Sequence, residues 1–295
     1  MRYYPLRGNS ARVTMCPYYN FKGEEAMAMQ TEITMNPITA GTFCWNELAT
    51  RDAQASSSFY CNLFGWEAET DDCCGMPYTV FKKEGHPVGG MLQMDEKWPD
   101  DIPSYWGSYI AVDDVDATAA KVTECGGQVS CDPQDIANEG RFAAIIDPTG
   151  ANVSIFKGGD GMNPWGHGSF CWNELLTTDM DLASDFYTKL FGWKAEASHT
   201  SDEPYTVFMN GEQWACGMMN MHWEGKPAWL GYISVENVDL TTSKAVELGA
   251  TVCFEPSDIP GIGRFAVFTD PTGATIAVFT GLSECCSDSC GCSEG

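Results

Sequence analysis

The chain of 295 residues is longer than one ordinary domain needs and suits two domains of about 120 to 130 residues with a linker. Its 41 acidic against 16 basic residues give a formal charge of -25, which repels phosphate backbones and anionic lipid headgroups and argues against nucleic acid or a membrane as partner, though acidity also serves solubility. With 44% hydrophobic residues the chain can bury sizeable cores, and no run approaches the ~18 apolar residues of a membrane-spanning helix, so a soluble protein is expected.

Residues 1–40 mix Arg2, Arg7 and Arg12 with proline, tyrosine and asparagine in neither helical nor strand period, and are expected to form an unfolded extension. Acidic residues are absent before Glu24, as in transit peptides, but the apolar core of a secretory signal is missing, and Met27, Met29 or Met35 could equally be the start. The expected compartment is therefore a reducing cytoplasm, where the 14 cysteines serve mainly as small buried hydrophobes rather than in disulfides.

From Phe43 to Ala49 the residues alternate as a strand does, and Asp52 then caps a helix that turns Phe59, Tyr60, Leu63 and Phe64 inward and ends at Gly65. Short strands follow at "WEAE", "YTVFKK" and "VGGMLQM". The pattern starts again with a strand at "YIAVDD", a helix from Asp114 to Cys125 closed by Gly126, and strands at "QVSC", "GRFAAIID" and "NVSIF". In the "DPTG" turns at Asp147 and Asp270, proline presets φ and glycine suits the fourth position, which makes a tight hairpin.

All of this occurs twice. "GTFCWNELATRDAQASSSFYCNLFGW" from Gly41 matches "GSFCWNELLTTDMDLASDFYTKLFGW" from Gly168, and "GRFAAIIDPTGANVSIFKG" from Gly140 matches "GRFAVFTDPTGATIAVFTG" from Gly263. The second copy is slightly shorter, in the loop that runs between Met94 and Trp106 in the first. Four β-α-β-β-β units are expected, in an α+β chain divided into a first domain at 41–158, a linker at 159–167, a second domain at 168–281 and a Cys-rich tail at 282–295.

The strand followed by "D…FY…LFGW", the segment "YIAVDDVDAT…K…GG" and "GRFA…DPTGA" together resemble the vicinal oxygen chelate superfamily of glyoxalases, bleomycin-resistance proteins and extradiol dioxygenases, over nearly all of residues 41–281. The likeness is strongest to tandem glyoxalase-like proteins. It implies two glyoxalase/bleomycin-resistance-type domains whose paired units form clefts, in which metal-dependent members chelate neighbouring substrate oxygens. At the places that the resemblance marks for metal ligands this chain has Trp45, Gly107 and Ser154 in one copy and Trp172, Leu230 and Ala277 in the other. Indole, glycine and alkyl groups do not coordinate a dication and a lone serine is a poor ligand, so no metal and no other cofactor is expected in the clefts.

Strand parity puts Trp45, Glu47, Gly107, Tyr109, Ser154 and Phe156 on one face in the first copy, and Trp172, Glu174, Leu230, Tyr232, Ala277 and Phe279 in the second. An aromatic wall with one carboxylate suits a small, flat organic ligand, aromatic or carbonyl-containing. Glu47 and Glu174 are the candidate acid/base groups should the protein be a lyase, an isomerase or a dioxygenase relative. Two alternatives stay open: the tryptophans plug the core while the glutamates pair with Arg141 and Arg264, or the domains are a degenerate scaffold for protein association. A monomer or a homodimer suits the pattern equally. His86, His167, His199 and His222 recur at no equivalent positions and are expected in loops or the linker. In the tail, Cys285, Cys286, Cys290 and Cys292 could wrap a soft metal ion, although their spacing is not that of a structural zinc site.

Overall fold

The computed structural model describes residues 33–282, apart from 74–75, 137–138, 159–161, 199–202 and 223. The N-terminal segment up to residue 32, His199, Cys74 and the four tail cysteines therefore lie outside the described residues. In chain order, β1 (Thr34–Pro37) precedes β2 (Phe43–Thr50), α1 (Ala53–Phe64), β3 (Glu67–Cys73), β4 (Met76–Lys83), β5 (His86–Gln93), β6 (Tyr105–Ala111), α2 (Val115–Glu124), β7 (Gln128–Ile136), β8 (Gly140–Ile146) and β9 (Asn152–Gly158). After β10 (Met162–Trp165) the series repeats as β11 (Phe170–Thr177), α3 (Met180–Phe191), β12 (Lys194–Ser198), β13 (Tyr205–Asn210), β14 (Gln213–Asn220), β15 (Ala228–Ser234), α4 (Val238–Glu247), β16 (Thr251–Ile259), β17 (Gly263–Thr269) and β18 (Thr275–Gly281). Among the described residues no helix is long and apolar enough to cross a membrane.

Each copy makes one eight-stranded sheet, in the orders β3-β4-β5-β2-β6-β9-β8-β7 and β12-β13-β14-β11-β15-β18-β17-β16. The first strand of each copy thus sits at the centre, where the two β-α-β-β-β units meet. Local chemistry sets the helices: Asp52 and Asp179 accept the Ala55 and Leu182 amides at 2.9 Å, and Gly65 and Gly192 end α1 and α3 in the left-handed conformation.

Four sequence expectations are corrected. Residues 34–37, within the expected unfolded extension, form β1, and residues 162–165, within the expected linker, form β10; the two pair antiparallel from Thr34 opposite Trp165 to Pro37 opposite Met162. Four residues are too few for an alternating pattern to register, and each strand carries a proline, which reads as a linker signal but is tolerated in an edge ribbon. The strand begun at "QVSC" also continues to Ile136, crossing Pro133 through irregularities in its pairing with β8. Of the histidines, His86 begins β5 rather than standing in a loop.

Helices line the inner faces of the sheets, and the cores are shared between copies rather than kept within them. Ile110, Val122, Ile145 and Ile155 of the first copy pack with Phe186, Tyr187, Trp193 and Phe208 of the second. Reciprocally, Leu48, Tyr60, Trp66 and Phe81 pack with Val238, Ala245, Phe268 and Ile276. Trp66 Nε1 donates to the Gly168 carbonyl at 2.7 Å and Trp193 Nε1 to the Gly41 carbonyl at 3.0 Å, so each "FGW" tryptophan anchors the start of the opposite copy.

The turn aspartates complete the exchange. Asp147 Oδ1 accepts from Thr149 N, Thr149 Oγ1, Gly150 N and Ala151 N, while its Oδ2 accepts from the Tyr187 hydroxyl of the other copy at 3.0 Å. Asp270 does the same with Thr272, Ala274 and, at 2.8 Å, Tyr60. Removing either phenol leaves a buried carboxylate oxygen without a donor. Tyr187→Phe and Tyr60→Phe are each expected to cost about 1–3 kcal/mol, read as a lowered urea midpoint with unchanged slope.

Candidate functional site

Strand β2 pairs parallel with β5 and antiparallel with β6, bringing Glu47 opposite Gly90 on one side and Gly107 on the other. Alternate residues of β2 point apart. Leu48 enters the inner core, whereas Trp45 and Glu47 stand on the helix-free outer face beside Tyr109.

Around Glu47 the polar atoms form one connected set. Tyr109 donates its hydroxyl to Glu47 Oε1 at 2.9 Å, and Tyr78 from β4 makes a second hydrogen bond to the same carboxylate. Trp45 Nε1 donates to the Tyr78 hydroxyl at 3.0 Å, and Ser154 is hydrogen-bonded to Tyr109. Tyr78 reaches Glu47 across β5 because Gly90 lies beneath its ring; a Cβ there would overlap the phenol oxygen. Phe156 meets the Tyr109 ring edge-on at 6.5 Å between centroids, and Phe142 is 6.4 Å away.

The second copy repeats this around Glu174. Tyr232 donates to Glu174 Oε2 at 2.8 Å, Tyr205 makes the second hydrogen bond, and Trp172 Nε1 donates to the Tyr205 hydroxyl at 3.1 Å over Gly217. Trp214 lies edge-on to Trp172, with centroids 6.2 Å apart. Leu230, Ala277 and Phe279 are buried on the same face.

Desolvation dominates the electrostatics of both glutamates. Burial raises the pKa of Glu47 and of Glu174 above the ordinary carboxylate range, with the two tyrosine hydrogen bonds pulling each partly back. The phenols respond in the same sense, since burial and the neighbouring carboxylate push Tyr78, Tyr109, Tyr205 and Tyr232 upward.

Arg141 lies elsewhere, paired with Asp116 at 2.7 Å and Asp135 at 2.9 Å, and Arg264 pairs with Asp239 and Asp258, both at 2.8 Å. The glutamates are therefore not the arginines' partners, and Trp45 and Trp172, half-buried on the outer faces, do not plug the inner cores. A groove of about 440 Å³ between α1 and β4, lined by Ser57, Thr79 and Gln93 among others, opens on the opposite side of the sheet and holds none of this chemistry.

Sequence reasoning missed Tyr78, Tyr105 and Tyr205. The repeated "YTVF" at Tyr78 and Tyr205 was the available signal, but reading it required knowing that a glycine on the intervening strand lets a phenol cross. Tyr105, 38% exposed, stands near enough for the Glu47 charge to raise its pKa after burial has done so.

A dication fits poorly. Among the described residues no group of three or more His, Cys, Asp or Glu side chains could hold a metal, and Glu47 and Glu174 are each already engaged by two phenols. His167 instead bonds Ser234 at 3.1 Å, and His222 faces Glu203 at 3.3 Å.

The Glyoxalase/Bleomycin resistance protein/Dioxygenase superfamily model matches residues 39–155 and 170–278. "Putative glyoxylase CFP32" of Mycobacterium tuberculosis is 38% identical over 247 residues, covering 81% of this chain and 94% of that protein. The anthracycline biosynthesis protein DnrV of Streptomyces peucetius is 32% identical over 261 residues, covering 83% and 94%. In fold, the chain is similar to the Mn(II)-bound glyoxalase from Novosphingobium aromaticivorans, with a TM-score of 0.58, 17% identity and coverage of 85% of this chain and 84% of that one.

Because the folded chain holds the Glu174 proton to higher pH than the unfolded chain does, the stability linked to Glu174 is full below the ordinary carboxylate pKa and is lost as pH rises through the folded value. Glu174→Gln removes that loss, so its urea midpoint should gain on the wild type between about pH 4 and about pH 8; a constant difference would contradict the shift. A protein ending at Gly281 should carry no stoichiometric metal by elemental analysis.

Proposed function

This chain belongs to the Glyoxalase/Bleomycin resistance protein/Dioxygenase superfamily, and on that premise we propose that it binds a small, flat organic molecule, aromatic or carbonyl-containing, on an outer sheet face and without a chelated metal. The observation that carries this reading is the Trp–Tyr–Glu–Tyr set: aromatic rings form a wall, and a single desolvated carboxylate supplies one directional contact. The name of the Streptomyces peucetius relative ties that protein to anthracycline biosynthesis, which agrees in kind with an aromatic ligand.

A second reading, a lyase or isomerase with Glu47 or Glu174 as acid/base, is favoured by the raised pKa of both carboxylates. Against it, Tyr109 and Tyr232 turn their protons to the glutamates rather than outward to a substrate oxygen. Binding is therefore the stronger reading.

Tryptophan-fluorescence titration with a panel of naphthols and quinones tests the choice. Trp45→Ala should weaken the best compound about tenfold, equivalent to ~1.4 kcal/mol of lost ring contact, with no compound consumed. Consumption that disappears when Glu47 and Glu174 are both changed to Gln would make the protein an enzyme instead.

A further inference from the structure

The two outer faces are built from equivalent positions but filled differently. In the second sheet Leu230, Tyr232, Ala277 and Phe279 form a buried apolar cluster, on which Ile262 and Val267 pack. The first sheet has Gly107 where the second has Leu230, Ser154 for Ala277, Glu139 for Ile262 and Ala144 for Val267. Each of these four exchanges removes apolar volume or adds a polar group, while Tyr105 stands beside Gly107 where the second sheet has Ala228.

Exposure follows the exchange. Glu174 is 5% exposed and Ala277 fully buried, whereas Glu47, Gly107, Tyr109, Ser154 and Phe156 are all only partly covered. A Cβ added at Gly107 meets the Tyr105 ring at 3.6 Å and nothing nearer, so the backbone that Leu230 covers in one copy carries no side chain of its own in the other and is flanked by Tyr105.

The polar end of the open face is also one-sided. Tyr109 spends its proton on Glu47, and Trp45 spends its indole N–H on Tyr78, which is itself bonded to Glu47. With these donors turned inward, the set presents spare carboxylate lone pairs to an incoming molecule. A ligand carrying a hydroxyl or amino proton completes the set, whereas one that offers only acceptors leaves those lone pairs unmet.

We infer that the duplicated faces have divided roles: the first sheet takes the ligand, an aromatic compound that brings its own hydrogen-bond donor to Glu47, and the second is a sealed copy retained for packing. This rests on the ligand-binding reading above and assigns it to one site and one ligand chemistry.

Two measurements separate the parts. Gly107→Cys and Leu230→Cys are treated with iodoacetamide under native conditions and followed peptide by peptide, with Ser154→Cys and Ala277→Cys as a second pair should either variant fold poorly. Labelling at 107 should exceed that at 230 by at least about a hundredfold, because a buried thiol is neither reached nor ionised; rates within about threefold overturn the division. Equilibrium dialysis with 2-naphthol should give one site per chain, abolished by Gly107→Leu, and 2-methoxynaphthalene, which lacks the donor, should bind at least about tenfold more weakly. Two sites per chain, or binding that survives Gly107→Leu, overturns the assignment, and equal binding of the ether overturns the donor requirement. Should neither naphthalene bind while labelling still separates the faces, the ligand-binding reading fails and the sealed second face stands.

Discussion

Each "DPTG" turn hangs on a single aspartate whose two oxygens serve different copies of the repeat. One oxygen closes its own hairpin through amides and a threonine hydroxyl, and the other takes the tyrosine of the opposite copy, which in turn receives an indole N–H from Trp106 or Trp229. With Asp147 and Asp270 at 3% and 4% exposure, each interior carboxylate depends on the opposite copy's phenol for the donor to its second oxygen. Hydrophobic burial follows the same exchange, since the first unit of each copy packs against the second unit of the other. A separated copy would lose half of each core.

That lock confines any site. The inner faces are consumed by helices and by the shared cores, which leaves the outer faces for chemistry. Central strands β2 and β11 pass between the two regions residue by residue: Leu48 and Leu175 hold the cores while Glu47 and Glu174 face outward. Glycines on the neighbouring strands then decide what can gather round those glutamates, because bare backbone at Gly90 and Gly217 lets a phenol lie across a strand that any side chain would block.

The outer faces differ between the copies where the inner ones match. The inner interactions are reciprocal nearly residue for residue, with Tyr60 and Tyr187, or Trp66 and Trp193, in matching roles. Outside, Gly107 and Ser154 stand against Leu230 and Ala277, and among the described residues no three-ligand group for a dication gathers beside the aromatic rings. On both outer faces the rings and the tyrosine-bonded glutamates form one hydrogen-bonded surface.

Much of this was legible in the chain itself. Duplication, the four β-α-β-β-β units, the Asp and Gly caps, and a tryptophan and glutamate two apart on one strand face all follow from identity at a fixed spacing and from the periods of helix and strand, which are local properties. Tertiary structure decided the rest. The β1–β10 ribbon depends on two short segments about 130 residues apart meeting backbone to backbone, for which side-chain pattern carries no signal. That Tyr78 and Tyr205 reach the glutamates depends on strand order, because β5 and β14 intervene. Exchange of cores between copies, and the sealing of one outer face beside an open one, depend on which side chains fill a shared volume; a sequence names the side chains, but only packing decides what space is left between them.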